Sequence, residues 1–128
     1  MADLDRSVAV TGIGVVTSIG CNRSSFWEAL KAGTSGVRPI RAFDATSHKS
    51  RIASEVVALD PMTALNPKLA RRMARVSQLA VCAALDAVKD AGLDLGREDP
   101  VRVGCVIGSA AGDYNVLEEQ LLRFKEKG

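Results

Sequence analysis

Residues 66–92, N-P-K-L-A-R-R-M-A-R-V-S-Q-L-A-V-C-A-A-L-D-A-V-K-D-A-G, hold the longest uninterrupted pattern in the chain and predict one helix. Asn66 is a natural N-cap, because its side-chain oxygen can accept from an otherwise unpaired backbone N–H. Pro67 suits the first helical position, where its missing donor costs nothing. Gly92 suits the far end, where a left-handed residue closes the last carbonyls. Leu69, Met73, Val76, Ala80, Ala83, Ala87 and Ala91 fall on one face, and Leu79, Val81, Leu85 and Val88 widen it. So broad an apolar surface predicts burial on more than one side. The many alanines predict close approach of neighbouring backbones.

The same stretch starts with a run of cations. Lys68, Arg71, Arg72 and Arg75 stand at i, i+3, i+4 and i+7, so one helix would put their heads on one side. Surface charge of this kind is ordinarily a solvated face with apolar stems. Cations at a helix N-terminus, however, oppose the macrodipole. That mild cost leaves a partner role open.

One domain is the default for 128 residues, and the length suffices for a core. An apolar content of 47% with 25% charged residues excludes a disordered chain. A net charge of +2 is too small to argue for nucleic-acid binding. No apolar run approaches the roughly 20 residues of a membrane span. The opening M-A-D-L-D-R-S has acids where a signal peptide has basic residues, so cytoplasm is the expected location. Cys21, Cys82 and Cys105 are widely spaced, and neither a C-x-x-C pair nor a Cys/His cluster marks a metal site. The single histidine, His48, falls in a polar loop.

Taken in order, S-V-A-V-T-G-I-G at 7–14 predicts a buried parallel strand ending in glycines that allow a tight turn or a close backbone approach. A dinucleotide fingerprint would need a third glycine where Thr17 stands, which makes that reading weak. Ser25 and Glu28 form an S-x-x-E capping box for a short helix through Ala32, stopped by Gly33, with Phe26, Trp27 and Leu30 burying one side. Residues 34–65 read as a long excursion with one short edge strand near 51–57. After a polar connection at 93–100, V-R-V-G-C-V-I-G-S at 101–109 predicts a second buried strand, with Cys105 as core rather than nucleophile. A G-S-A-A-G turn leads to a last helix striped by Val116 or Leu117, Leu121 and Phe124. Strand, helix, strand gives a βαβ-like, parallel α/β layout. Two strands alone leave unpaired edges, and a doubly apolar helix lacks partners. The chain therefore reads as part of something larger.

These landmarks also carry a resemblance. V-A-V-T-G-I-G-V-V-T-S-I-G (8–20), F-W-E-A-L-K-A-G-T-S-G-V (26–37), F-D (43–44), R-R-M-A-R (71–75), A-x-x-D-A-G-L (87–93) and V-G-C-V-I-G-S (103–109) resemble the opening portion of β-ketoacyl-acyl-carrier-protein synthases. The likeness is greatest to the type II condensing enzyme of bacterial fatty-acid synthesis. It implies that 1–128 is the incomplete N-terminal portion of one ketosynthase domain with a partial thiolase-like α/β fold. In that family helix and sheet layers alternate, and a central helix layer is buried on both sides.

The resemblance further implies an acyltransferase that elongates acyl chains by decarboxylative condensation with malonyl-carrier protein, without a cofactor. A cysteine takes the acyl group as a thioester and two histidines assist decarboxylation. None of these matches a position here, so these 128 residues alone are expected to be inactive. The family's acidic acyl carrier protein docks on residues that match Lys68, Arg71 and Arg72. The turn after the second strand lines the acyl pocket, which puts Ala111 near the substrate's chain end. The sequence departs from the family at Asp113, where glycine is usual. Expected partners are acyl carrier protein and acyl and malonyl thioesters, with no nucleic acid and no membrane, and a homodimer when the protein is complete. A polyketide-type ketosynthase opening, a non-catalytic carrier-binding module and a nucleotide-binding domain are the alternatives.

Overall fold

The computed structural model describes residues 7–128, so the first six residues of the acidic opening lie outside them. The elements are α1 (Arg23–Lys31), β1 (Val37–Pro39), β2 (Ile52–Ser54), α2 (Pro61–Ala64), α3 (Pro67–Ala70), α4 (Arg75–Asp90), a 3₁₀ turn at Pro100–Arg102, and α5 (Tyr114–Lys127).

The single helix expected over 66–92 is two helices. Its ends follow the sequence reading: Asn66 Oδ1 accepts from Lys68 N at 3.0 Å, and Pro67 opens α3. At the far end Gly92 has φ +63°, its N–H reaches Lys89 O, and Leu93 N–H reaches Val88 O, a complete Schellman closure. The interior differs. Arg72 N and Met73 N bond three residues back, to Leu69 O and Ala70 O, and Ala74 is extended with ψ 153°. Neither glycine nor proline causes this break. Tertiary partners satisfy it instead: Gln78 Nε2 donates to Ala70 O at 2.8 Å, and Asp113 Oδ2 accepts from Arg75 N at 2.9 Å.

Asp113 therefore acts as a remote N-cap for α4, whose own cap residue, Ala74, has no side chain able to do so. Its other oxygen, Oδ1, accepts from Asn115 N and Val116 N and caps α5. One carboxylate thus serves two helix N-termini, where negative charge is favoured. Gly112, with φ +70°, supplies the left-handed residue of that turn.

Helix α1 forms as expected but is capped differently. Asn22 Oδ1 accepts from Ser25 N at 2.8 Å, so the cap is Asn22 rather than Ser25. Glu28 is consequently one turn too far along to complete a capping box, and it pairs with Lys31 at 2.8 Å. Gly33, at φ +65°, closes the helix with the Schellman pair Gly33 N to Leu30 O and Thr34 N to Ala29 O. Trp27 and Leu30 are half exposed, so neither is a core anchor among the described residues.

The two expected parallel strands do not form. Neither 7–14 nor 101–109 forms a strand ladder with another described segment, and most of their side chains are exposed. A strand owes its hydrogen bonds to a neighbour, and none is supplied here. The described sheet is the antiparallel pair β1–β2, with Val37 opposite Ser54, Arg38 opposite Ala53 and Pro39 opposite Ile52. Strand β2 lies within the expected edge strand; β1 was not anticipated from V-R-P. Cys105, expected in a core, is exposed. Helix α5 carries its apolar stripe in the expected register, with Leu117, Leu121 and Phe124 exposed.

The closed core is correspondingly small, although the length would allow a larger one. Among the described residues only Ala45, Ala70 and Cys82 are buried apolar side chains. The accessible surface is 10743 Å², against about 6,500 Å² for a compact protein of this mass.

What holds the fold is backbone against helix. A Cβ on Gly12 would overlap the Ala87 carbonyl, and one on Gly14 would overlap that of Ala83, so the G-I-G segment lies directly on the alanine face of α4. Ile13 N donates to Asp90 Oδ2 at 3.0 Å, and Arg23 pairs with the same carboxylate at 2.5 Å. These two donors offset the unfavourable position of an acid at a helix C-terminus. Ser18 Oγ then meets Ser54 Oγ at 2.6 Å, tying the 17–20 turn to β2.

Two outcomes follow from this packing. Gly14→Ala is expected to lower unfolding free energy by about 1–3 kcal/mol or more, through overpacking. Gly104→Ala, with nothing within 4 Å of the added carbon, should change it by less than about 0.5 kcal/mol. Urea denaturation of both variants measures the difference, and equal midpoints would contradict the close approach. Burial pushes the Cys82 thiol up, Arg75 partly counters this, and Cys21 adds to it. The thiolate is the reactive species, so alkylation should proceed in the order Cys105, Cys21, Cys82. Peptide mass spectrometry after brief labelling reads that order, and labelling of Cys82 as fast as Cys105 would contradict it.

Candidate functional site

The break between α3 and α4 reshapes the basic stretch. Lys68 lies within the four-residue α3 and Arg71 is its C-cap. Lys68 is thus the second residue of a single turn and only Arg71 sits at a C-terminal end, where cations are favoured; the expected conflict with a long macrodipole is confined to one turn. Lys68, Arg71 and Arg72 are exposed, and among the described residues no carboxylate comes within 4.0 Å of them.

Arg75 does not share that surface. Its Nη2 donates to Val56 O at 2.8 Å and to Leu59 O at 3.3 Å, and its Nη1 donates to Gln78 Oε1 at 3.4 Å. The i+7 position of an unbroken helix would have kept it with the other three. Four residues of non-helical chain rotate it inward, where its guanidinium fastens the segment after β2 to the start of α4.

Ala111 lies exposed in the turn before α5. Ser109 Oγ accepts from Gly112 N at 3.0 Å, and Asp113 follows with its double cap. The turn that carries Ala111 is thus tied to the first residue of α4, three residues beyond Arg72. Asp113 is the functional-geometry residue that sequence reading missed. Only its departure from the usual glycine marked the position.

No nucleophile–base pair is assembled by the described residues. His48 is exposed and meets Phe43 edge-on at 5.3 Å between ring centres. Cys21 and Cys82 line one open cleft with Val16, Leu59, Leu85 and Lys89, and no histidine lies there. Among the described residues no group of three His, Cys, Asp or Glu side chains is placed to hold a metal ion. No described helix is long and apolar enough to cross a membrane.

Comparison with known proteins fits this arrangement. The family model described as the N-terminal domain of β-ketoacyl synthase matches residues 5–128. A granaticin polyketide putative β-ketoacyl synthase 1 from Streptomyces violaceoruber is 39% identical over 98% of this chain and 30% of its own. A 3-oxoacyl-acyl-carrier-protein synthase 2 from Synechocystis is 37% identical over 100% of this chain and 31% of its own. Among solved structures, the ishigamide ketosynthase/chain length factor superimposes with a TM-score of 0.67 at 33% identity, over 91% of this chain and 30% of that one. The chain therefore spans about a third of the length of the relatives it matches. A thiolase-like framework is the fold these likenesses imply, whereas the described residues form a two-stranded sheet. With the G-I-G segment laid on α4 and the match running almost from end to end, the chain belongs to the β-ketoacyl synthase family, as an N-terminal portion.

Proposed function

We propose that these residues form the incomplete N-terminal part of a single ketosynthase domain that condenses acyl groups with malonyl-carrier protein in fatty-acid synthesis. The observation that carries this reading is the family match over residues 5–128. In the proposed reaction an acyl group passes from its carrier thiol to an enzyme cysteine. Loss of CO₂ from malonyl-carrier protein leaves an enolate carbon, which attacks the thioester and expels the cysteine sulfur. That step needs a thiolate nucleophile and donors for the enolate oxygen. Neither is assigned to a residue of this chain.

Its contributions are instead recognition and support. Lys68, Arg71 and Arg72 dock the acidic acyl carrier protein, where opposite charge favours encounter and register. Ala111, a small residue on the turn before α5, leaves room for the acyl terminus. The complete protein is proposed to be a cytoplasmic homodimer that uses acyl and malonyl thioesters and no cofactor. A polyketide pathway is the second reading, supported by the granaticin relative at an identity similar to the fatty-acid one.

Two measurements test the proposal. Arg71→Glu combined with Arg72→Glu should weaken binding of holo-acyl carrier protein about tenfold or more at low salt, read by fluorescence anisotropy. Unchanged affinity would reject the docking role. The purified chain, supplied with acyl- and malonyl-carrier protein, should release no CO₂ and form no 3-oxoacyl product. Detectable product would show that these residues hold a catalytic centre after all.

A further inference from the structure

Charge is unevenly distributed along this chain. Residues 37–75 carry eight Lys and Arg against three acids, whereas the rest carries nine against twelve. In the basic stretch all three acids are engaged by backbone donors. Asp44 Oδ1 accepts from Thr46 N at 3.0 Å, an interaction that holds its carboxyl below the usual range. Asp60 Oδ1 accepts from Met62 N at 2.9 Å. Glu55 accepts from Arg41 N at 3.1 Å and Ala42 N at 3.0 Å. None of the three forms an ion pair with a cation of the stretch within 4.0 Å among the described residues.

Of the eight cations, Arg75 alone is turned inward onto carbonyls. Four others, Arg38, Arg41, Lys49 and Arg51, lie exposed on the β1–β2 hairpin and the loop it encloses. The remaining three are the exposed cations of the α3 region. Arg75 joins the two elements: from a position three residues beyond Arg72 its guanidinium holds the carbonyls of Val56 and Leu59, just past β2, and with Arg41, Glu55, Val56 and Leu79 it lines a cleft of 500 Å³.

We infer that the basic surface is bipartite: the hairpin Arg38–Arg51 and the α3 trio together form one docking surface for a compact acidic protein. This rests on the carrier-docking reading above and extends it to a second element. Five of the seven exposed cations are arginines, whose planar forks suit carboxylates. An extended polyanion fits less well, because the remainder of the chain is net acidic and would repel whatever runs past the basic stretch. A small acidic carrier, contacting only the hairpin and α3, avoids that repulsion.

The test is binding of holo-acyl carrier protein to the chain across ionic strength. Arg38→Glu with Arg51→Glu should weaken binding about five- to tenfold at 50 mM salt, with the difference shrinking towards 500 mM. Neither side chain makes an internal hydrogen bond or ion pair among the described residues, and circular dichroism checks the fold. Where the reversal disturbs it, Arg38→Gln with Arg51→Gln carries the test, with a smaller loss and a shallower salt dependence expected. Hairpin variants that bind like wild type, while Arg71→Glu with Arg72→Glu binds worse, would overturn the bipartite surface and leave α3 docking intact. Unchanged binding in both sets would overturn both. A duplex DNA oligonucleotide that binds as tightly as the carrier would overturn the assignment to an acidic protein.

Discussion

The contact on which the rest of this structure depends is that of Gly12 and Gly14 with the alanine face of α4. Two backbones can approach this closely only where one has no Cβ and the other presents methyl groups. Once they do, Ile13 N comes within reach of Asp90, and the same carboxylate gathers Arg23 and so fixes the start of α1. The 17–20 turn that follows is carried to β2 through Ser18 and Ser54. A side chain at Gly14 would thus disturb α4, α1 and the hairpin together, although it touches only the first.

That linkage organises the chain without enclosing it. Val8, Val101 and Val106 are more than nine-tenths exposed, and they lie in the two β-branched runs that join no sheet among the described residues. Apolar side chains on unpaired extended backbone are costly to leave in water, both as surface and as open strand edge. A layered thiolase-type framework supplies what those runs lack: neighbours for the strands and a second cover for the central helix. The same surface on an ordinary small domain would mark an aggregation hazard.

Local signals were mostly legible in the sequence, the capping box at Ser25 and Glu28 excepted because Asn22 takes the cap, whereas signals that depend on distant partners were not. Asn66, Pro67, Gly33 and Gly92 each act within a few residues of themselves, and each does what its chemistry predicts. The break at 71–74 contains no residue that breaks helices. It exists because Gln78 and Asp113 satisfy the groups it exposes, and Asp113 is 38 residues away from Arg75. The two β-branched runs were read as buried parallel strands and are not: a strand needs a neighbour, and neither run joins a sheet among the described residues. Of the candidate site, the exposure of Lys68, Arg71 and Arg72 could be read from their charge alone. The inward turn of Arg75 could not, because it follows from the break.

The double cap at Asp113 also bears on how the chain is made. A ribosome adds about 5–20 residues per second, so Asp113 follows Arg75 by roughly 2–8 s. For that interval the first turn of α4 has no remote acceptor, while its C-terminal half already has Gly12 and Gly14 to lie against. The helix is therefore expected to become ordered from its C-terminal end backwards, against the direction of synthesis. Its last stitch waits for the turn that also starts α5.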